Sequence, residues 1–159
     1  MYPMRRKDRA ISDTEARALL EKAEYGFLAT TGNDGLPYGV PLSYVLLHDR
    51  LYFHSAMNGR KLDNIRFCKQ VSFTVVGDTK PVYTKNFTTY FESVMVFGAI
   101  HEVTDADEKF QALYALAAKY LPDYLDRAET DIRASFSHTA VLCLPIEEMT
   151  GKAKKPRVS

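Results

Sequence analysis

Two stretches of the chain repeat apolar side chains at the spacing of a helix. Ser12 and Glu15 form a capping-box pattern ahead of the first stretch, which predicts a helix over 13–23. The second stretch follows Thr104, an expected N-cap, and ends at Pro122, because proline cannot continue a helix. A shorter helical pattern, GRKLDNIRF, lies between the two.

Shorter segments have the composition and alternation of β-strands. Strands are predicted over 25–31, 37–49, 51–56, 69–78, 90–103 and 138–151. The turn GNDG at 32–35 indicates a hairpin, so a largely antiparallel sheet is expected, and Pro41 predicts a bulge or an edge position. The polar segment 78–90 is predicted to be a loop, and no structure is assigned to 126–137. Six strands with three or four helices indicate an α+β fold or a small barrel with helices outside it.

Composition limits the class of protein. A chain of 159 residues with 46% hydrophobic residues fits one domain, expected to span 1–159 with its core at about 10–150. Lys and Arg number 21 against 20 Asp and Glu, so the net charge of +1 argues against nucleic-acid binding. Basic clusters at 5–9 and 152–157 are expected to be solvated. No segment has the apolar length of a membrane span or a signal peptide, so a cytoplasmic protein is expected.

The segment LYFHSAMNGRKLDN, residues 51–64, combines groups that can bind phosphate. Ser55 supplies a hydroxyl where a strand ends, and Gly59 allows close approach of the backbone. Arg60 and Lys61 fall in the first turn of a helix, where a cation opposes the helix dipole and a bound dianion would reverse that sign. An exposed turn with solvated charges is the alternative that these residues leave open.

Several other side chains are candidates for chemistry or for contact with a partner. His54 could donate a proton, ligate a metal or stack on a ring, but no second ligand lies at metal-binding spacing, so no metal site is expected. Cys68 and Cys143 lack a C-x-x-C spacing, and a disulfide between them stays open. The strand segment TTYFESVMVF is apolar on both faces, which favours cover by a helix or by the second subunit of a homodimer.

Four blocks of sequence together resemble one known family. They are YGFLATTGNDGLPYGVPLSYV, LYFHSAMNGRKLDNI, FESVMVFGAIHEV and IEEMTGKAKK, and with the helices between them they cover roughly residues 4–155. In order and spacing they resemble the pyridoxamine-phosphate-oxidase-like FMN-binding split barrels, most closely the Nim-type branch named for nitroimidazole resistance. The resemblance implies a six-stranded antiparallel split barrel with flanking helices, in a homodimer with FMN at the subunit interface.

The resemblance also implies a set of cofactor contacts. Ser55, Arg60 and Lys61 would bind the FMN phosphate, and His54 would lie near the ribityl chain or the open face of the flavin. The flavin ring would be lined by Leu28, Ala29, Thr30, Pro41, Leu42 and Ser43. Glu92, Ser93 and Val94 would come from the second subunit.

The activity implied is that of an FMN-dependent oxidoreductase acting on small, electron-poor substrates such as nitroaromatics. His54 is the candidate catalytic residue, as a hydrogen-bond donor to the reducing substrate or its product. The chain has no Trp and ends in TGKAKKPRVS, whereas the oxidases proper end in a segment with Trp and Arg that holds the substrate phosphate, so vitamin B6 oxidation is not expected. A flavin sensor or carrier without turnover, and a haem- or deazaflavin-binding relative on the same barrel, are the alternatives.

Overall fold

The fold consists of two antiparallel sheets with helices packed around them. The computed structural model describes residues 4–83 and 85–156. In this part of the chain nine strands form β1 Tyr25–Thr31, β2 Pro37–Ser43, β3 Val45–Leu47, β4 Arg50–Ala56, β5 Gln70–Tyr83, β6 Phe87–Ala99, β7 His101–Glu102, β8 Thr139–Pro145 and β9 Glu148–Lys154. One sheet has the order β2-β1-β5-β6-β9 and the other β3-β4-β8-β7.

The predicted number of six strands is wrong because three predicted strands are each divided between the two sheets. The chain leaves the five-stranded sheet at Tyr44 and again at Ile100, and it returns to that sheet at Ile146. Tyr44 and Ile100 are fully buried, so their side chains fill the core where the chain turns the corner. Among the described residues the strands form two sheets and no closed barrel, so the α+β class is confirmed and the split-barrel description is correct only in part.

The predicted loop over 78–90 is also wrong. β5 and β6 continue to pair as far as Tyr83 and Phe87, after a register shift between Val76 and Thr79. The segment is polar because this arm of the hairpin is solvated, and its threonines and aromatics favour extended backbone. Pro41 lies in β2, which is an edge strand of its sheet, as predicted.

Four α-helices occur in the described residues. They are α1 Asp13–Lys22, α2 Arg60–Phe67, α3 Ala106–Tyr120 and α4 Leu125–Ser135. The capping box of Ser12 and Glu15 on α1 is confirmed. The predicted N-cap of α3 is wrong by one residue, because Asp105 accepts the Glu108 N–H at 2.8 Å in place of Thr104. α4 occupies most of the segment to which the pattern assigns no structure.

The core between the sheets is centred on three aromatic rings. Phe53 and Phe73 lie 5.0 Å apart between ring centroids, and Tyr44 lies 4.9 Å from Phe73. The Tyr44 hydroxyl donates to the Leu20 carbonyl at 2.5 Å, which satisfies its one polar group. α1 closes the same core through Leu20, and Phe53 of β4 and Leu62 of α2 belong to the same buried cluster.

The remaining features of the fold concern cysteines, metal ligands and membranes. Cys68 and Cys143 are both free, and Cys143 is buried as a small apolar side chain. Residues 4–83 and 85–156 contain no group of three His, Cys, Asp or Glu side chains that could hold a metal ion. No helix in those same ranges is long and apolar enough to cross a membrane.

Candidate functional site

The start of α2 is built differently from the starts of α1 and α3. Gly59 precedes it with φ +132°, a conformation that residues with a side chain rarely adopt. The Gly59 carbonyl accepts the N–H groups of Leu62 at 2.9 Å and Asp63 at 3.2 Å. No side chain caps the helix, whereas Ser12 caps α1 and Asp105 caps α3. The first N–H groups of α2 therefore form an uncapped helix N-terminus, the electrostatic environment that favours an anion.

Arg60 and Lys61 differ in how far their charges are already compensated. Arg60 Nη2 donates to Asp34 Oδ2 at 3.1 Å, and both side chains are 46% exposed. The guanidinium also lies 5.2 Å from the centre of the Tyr38 ring. Lys61 is half-buried, and burial lowers its pKa. Within the described ranges no carboxylate lies at ion-pair distance from Lys61.

His54 and Ser55 lie at the end of β4, just before this helix. They pair with Val141 and Ala140 of β8, which fixes the backbone of both residues. Ser55 is half-buried and His54 is an exposed residue. Desolvation by the atoms around the ring, and next the charge of Lys61, lower the pKa of His54. Both effects favour the neutral imidazole over the imidazolium.

The predicted flavin-lining residues on β1 and β2 alternate between the core and the surface. Leu28 is fully buried, and Thr30 is 3% exposed with its hydroxyl donating to the Tyr38 carbonyl at 3.3 Å. Leu42 is half-buried on the same inner side. Leu28, Thr30 and Leu42 direct their side chains inward, so only their backbone can face a ligand outside the sheet. The members that face outward are Ala29, Pro41 and Ser43.

Asn64 is a site residue that the sequence analysis did not identify. It is 5% exposed, and its Nδ2 donates to Thr30 Oγ1 at 3.0 Å. Its Oδ1 lies against Gly32, where a Cβ atom would meet it at 2.5 Å. This hydrogen bond fixes α2 to β1 and so sets the position of the cationic first turn. In the sequence Asn64 is adjacent to Ile65, which is buried, but no sequence pattern indicates that Thr30 is the hydrogen-bond partner of Asn64.

Glu92, Ser93 and Val94 lie on β6, and β5 separates that strand from β1 in the sheet. Val94 is fully buried, so its side chain belongs to the core. Glu92 Oε1 accepts the Asp78 N–H at 3.5 Å, and Ser93 is half-buried on the opposite face. The expectation that this segment completes the site of a second subunit stays a prediction.

The outer face of the five-stranded sheet carries apolar side chains in contact with solvent. Tyr25, Phe27 and Val76 are 54%, 47% and 56% exposed, and the rings of Tyr25 and Phe27 lie 5.9 Å apart. Met95 and Phe97 on β6 continue the face and are half-exposed. These neighbouring apolar side chains are therefore left open to solvent on one face of the sheet.

Comparison with known proteins identifies the family. The family model described as pyridoxamine 5'-phosphate oxidase matches residues 12–153. The chain belongs to this family. The predicted resemblance is thereby confirmed, and the Nim-type branch has support from a candidate 5-nitroimidazole antibiotic resistance protein of Bacteroides thetaiotaomicron. That structure is 26% identical, with 92% of this chain and 90% of that chain covered and a TM-score of 0.78.

Two further solved structures carry names that mention a bound group. An FAD-binding protein of Mesorhizobium loti is 25% identical, with a TM-score of 0.67 and coverage of 92% of this chain and 97% of its own. A flavocytochrome of Azotobacter vinelandii has a TM-score of 0.82 at 22% identity, over 97% of this chain and 73% of its own. At this identity the flavocytochrome shares the fold alone. No curated protein is similar enough to give a match.

Proposed function

We propose that the protein is a homodimeric flavoprotein that binds FMN and acts as an oxidoreductase on small, electron-poor substrates, nitroaromatics among them. The observation that carries the proposal is the uncapped, cationic start of α2 next to His54 and Ser55. Membership of the pyridoxamine 5'-phosphate oxidase family supports it.

A phosphate monoester fits the groups at the start of α2. The backbone N–H groups after Gly59 are left without a side-chain cap, and Lys61 supplies a charge with no carboxylate beside it among the described residues. Ser55 adds a hydroxyl at the end of β4, and Arg60 keeps further N–H donors beyond the one that Asp34 accepts. Without an anion, the cations oppose the helix dipole, and a phosphate dianion removes that conflict.

The flavin ring would lie along the outward side of the β1–β2 ribbon. Ala29, Pro41 and Ser43 face this side, and β2 is an edge strand whose outer backbone groups are not engaged by a further strand. Edge backbone supplies donors and acceptors that suit the polar rim of a flavin ring. When bound, the flavin supplies the redox chemistry, and the protein supplies position and electrostatics.

The homodimer is part of the proposal because the site is open within one chain. The exposed apolar side chains of Tyr25, Phe27 and Val76 provide a surface for a second copy. Glu92 and Ser93 of that copy would then approach the flavin, while the buried Val94 would contribute only its backbone.

His54 is proposed to bind the substrate through a hydrogen bond. Its lowered pKa favours the neutral ring, in which one nitrogen donates and one accepts. A neutral ring next to Lys61 can contact an electron-poor substrate without adding a second positive charge at the site.

The test is the absorption spectrum of the purified protein with mass spectrometry of the ligand it releases. A flavin spectrum and the mass of FMN support the proposal, and a Soret band or a deazaflavin mass contradicts it. Colourless protein that cannot be reconstituted with FMN would also contradict it. Reduced protein is then mixed with a nitroaromatic in a stopped-flow instrument. Reoxidation no faster than that of free FMN would indicate a carrier that binds flavin without turnover.

A further inference from the structure

The fold brings together the described residues of the two basic clusters, 5–9 and 152–156, which come from opposite ends of the sequence. β9 is an edge strand, and the segment before α1 runs along it. Ala10 pairs with Lys152, and the Ile11 N–H donates to the Gly151 carbonyl at 3.1 Å. A short 3-10 turn over Lys7–Arg9 packs on β9. The clusters therefore form one surface and are not two separate solvated ends.

A cleft of about 740 Å³ lies between these clusters and the β5–β6 arm, which contributes Asn86, Thr88 and Tyr90 to its lining. This volume is within the range of small-molecule sites in proteins, which is about 300–1,000 Å³. The lining of the cleft includes Arg6, Arg9, Thr88, Tyr90, Lys154 and Lys155. Asp8 is the one carboxylate among the described residues that line the cleft.

Two of the four cations in the cleft are not compensated. Arg6 donates to Asp8 at 2.7 Å, and Lys155 donates to Glu15 at 2.9 Å. Arg9 and Lys154 are half-buried, and in the part of the chain that the structure describes no carboxylate lies at ion-pair distance from either. A partly buried charge without a counterion is costly, so an anion bound between the two would be stabilised.

The groups around these two cations indicate the kind of anion. The Lys154 ammonium contacts the Thr88 hydroxyl, and the Arg9 guanidinium lies 5.8 Å from the centre of the Phe91 ring. A guanidinium, an ammonium and a hydroxyl that converge are the donors that bind phosphate. Tyr90 adds an aromatic ring on which a base could stack. We propose that this cleft binds the phosphate groups of a nucleotide.

The position of the cleft relates it to the flavin. A neighbouring groove of about 220 Å³ shares Tyr90, Lys154 and Lys155 with the cleft and continues to Glu92. Under the proposed function, on which this step rests, Glu92 approaches the flavin of the second subunit. The nucleotide would then be either the adenosine diphosphate half of a flavin dinucleotide or a pyridine-nucleotide reductant, because the two present the same phosphates.

The test titrates the protein as purified with ADP and with adenosine by isothermal titration calorimetry. ADP is expected to bind and adenosine to bind more weakly by about tenfold or more, because the phosphates supply the charged contacts. Replacing both cations, Arg9→Gln with Lys154→Gln, is expected to weaken ADP binding by about tenfold or more. The matched control, Lys69→Gln with Arg127→Gln, removes the same charge from exposed positions elsewhere and should change ADP affinity by less than about twofold.

Several results would overturn the proposal. They are no binding of ADP by the wild-type protein, equal binding of adenosine, and an equal loss in the control pair. Tighter binding of a single-stranded oligonucleotide than of ADP would indicate a nucleic-acid surface and would also overturn it. The comparison of ADP with adenosine needs no variant, so a double variant that misfolds leaves the test intact.

Two measurements distinguish whether the cleft binds part of a flavin dinucleotide or a pyridine-nucleotide reductant. Loss of FAD but not of FMN from the double variant identifies the flavin dinucleotide. A higher KM for NADPH with kcat unchanged identifies the reductant. The ADP titration does not depend on flavin, so colourless protein that binds ADP would contradict the proposed function alone, and yellow protein that does not bind ADP would contradict this inference alone.

Discussion

Lys61 is expected to matter more than Arg60 for binding the FMN phosphate. Arg60 already pairs with Asp34 at 3.1 Å and is 46% exposed, so solvent and a carboxylate weaken its attraction for another anion. An exposed pair of this kind contributes about 0–1 kcal/mol, so Arg60→Gln should weaken FMN binding roughly twofold to threefold. Lys61 is half-buried, and a hydrogen bond between charged groups there contributes about 1.5–3 kcal/mol, so Lys61→Gln should weaken binding roughly 30-fold.

The assay compares FMN with riboflavin, which lacks the phosphate. Both are titrated into each variant, and quenching of flavin fluorescence gives the two dissociation constants. Riboflavin affinity should change by less than about twofold in either variant, because the lost contact is made only by the phosphate. Lys69→Gln, at an exposed position just beyond α2, is the control. A larger loss of FMN affinity in Arg60→Gln than in Lys61→Gln, or a parallel loss of riboflavin affinity, would contradict this prediction.

Three other predictions follow from buried, titratable and exposed side chains. Asn64→Leu removes the buried bond between α2 and β1 and should lower the free energy of unfolding in urea by roughly 1–3 kcal/mol; an unchanged midpoint would contradict this. The pKa of His54, followed by NMR, should lie below its ordinary value and should rise in Lys61→Gln. Because the pKa of His54 is lower in the folded protein than in the unfolded chain, the small contribution of His54 to stability should fall as the pH drops below the unfolded value of about 6.5. Phe27→Asp should shift the protein from dimer to monomer in sedimentation, whereas Phe67→Asp, the same change at a more exposed position on α2, should not.

Much of the local structure could be predicted because it depends on neighbouring residues. The capping box at Ser12 and Glu15 satisfies the first N–H groups of α1 within one turn, so the sequence is enough to locate that helix. The end of β4 at Ala56 and the start of α2 after Gly59 are equally local. The β5–β6 arm could not be predicted in the same way. It depends on cross-strand pairing such as that of Thr79 with Phe91, and the polar composition of the segment does not indicate this pairing.

The division of three strands between sheets required knowledge of the whole core. In the sequence Tyr44 and Ile100 resemble ordinary strand residues. Only the position of the second sheet shows that each is buried where the chain passes from one sheet to the other. The Asn64 bond to Thr30 joins residues 34 apart in the chain, so no local pattern contains it.

The sequence by itself determined the α+β class and the family, and it was enough to single out the segment LYFHSAMNGRKLDN as the candidate phosphate site. Periodicity, capping and turn chemistry act over a few residues, and family motifs are read along the chain. The tertiary structure alone decided that Arg60 shares its charge with Asp34 while Lys61 has no such partner among the described residues. It also decided that the two basic ends meet across β9, because edge pairing joins residues more than 140 positions apart.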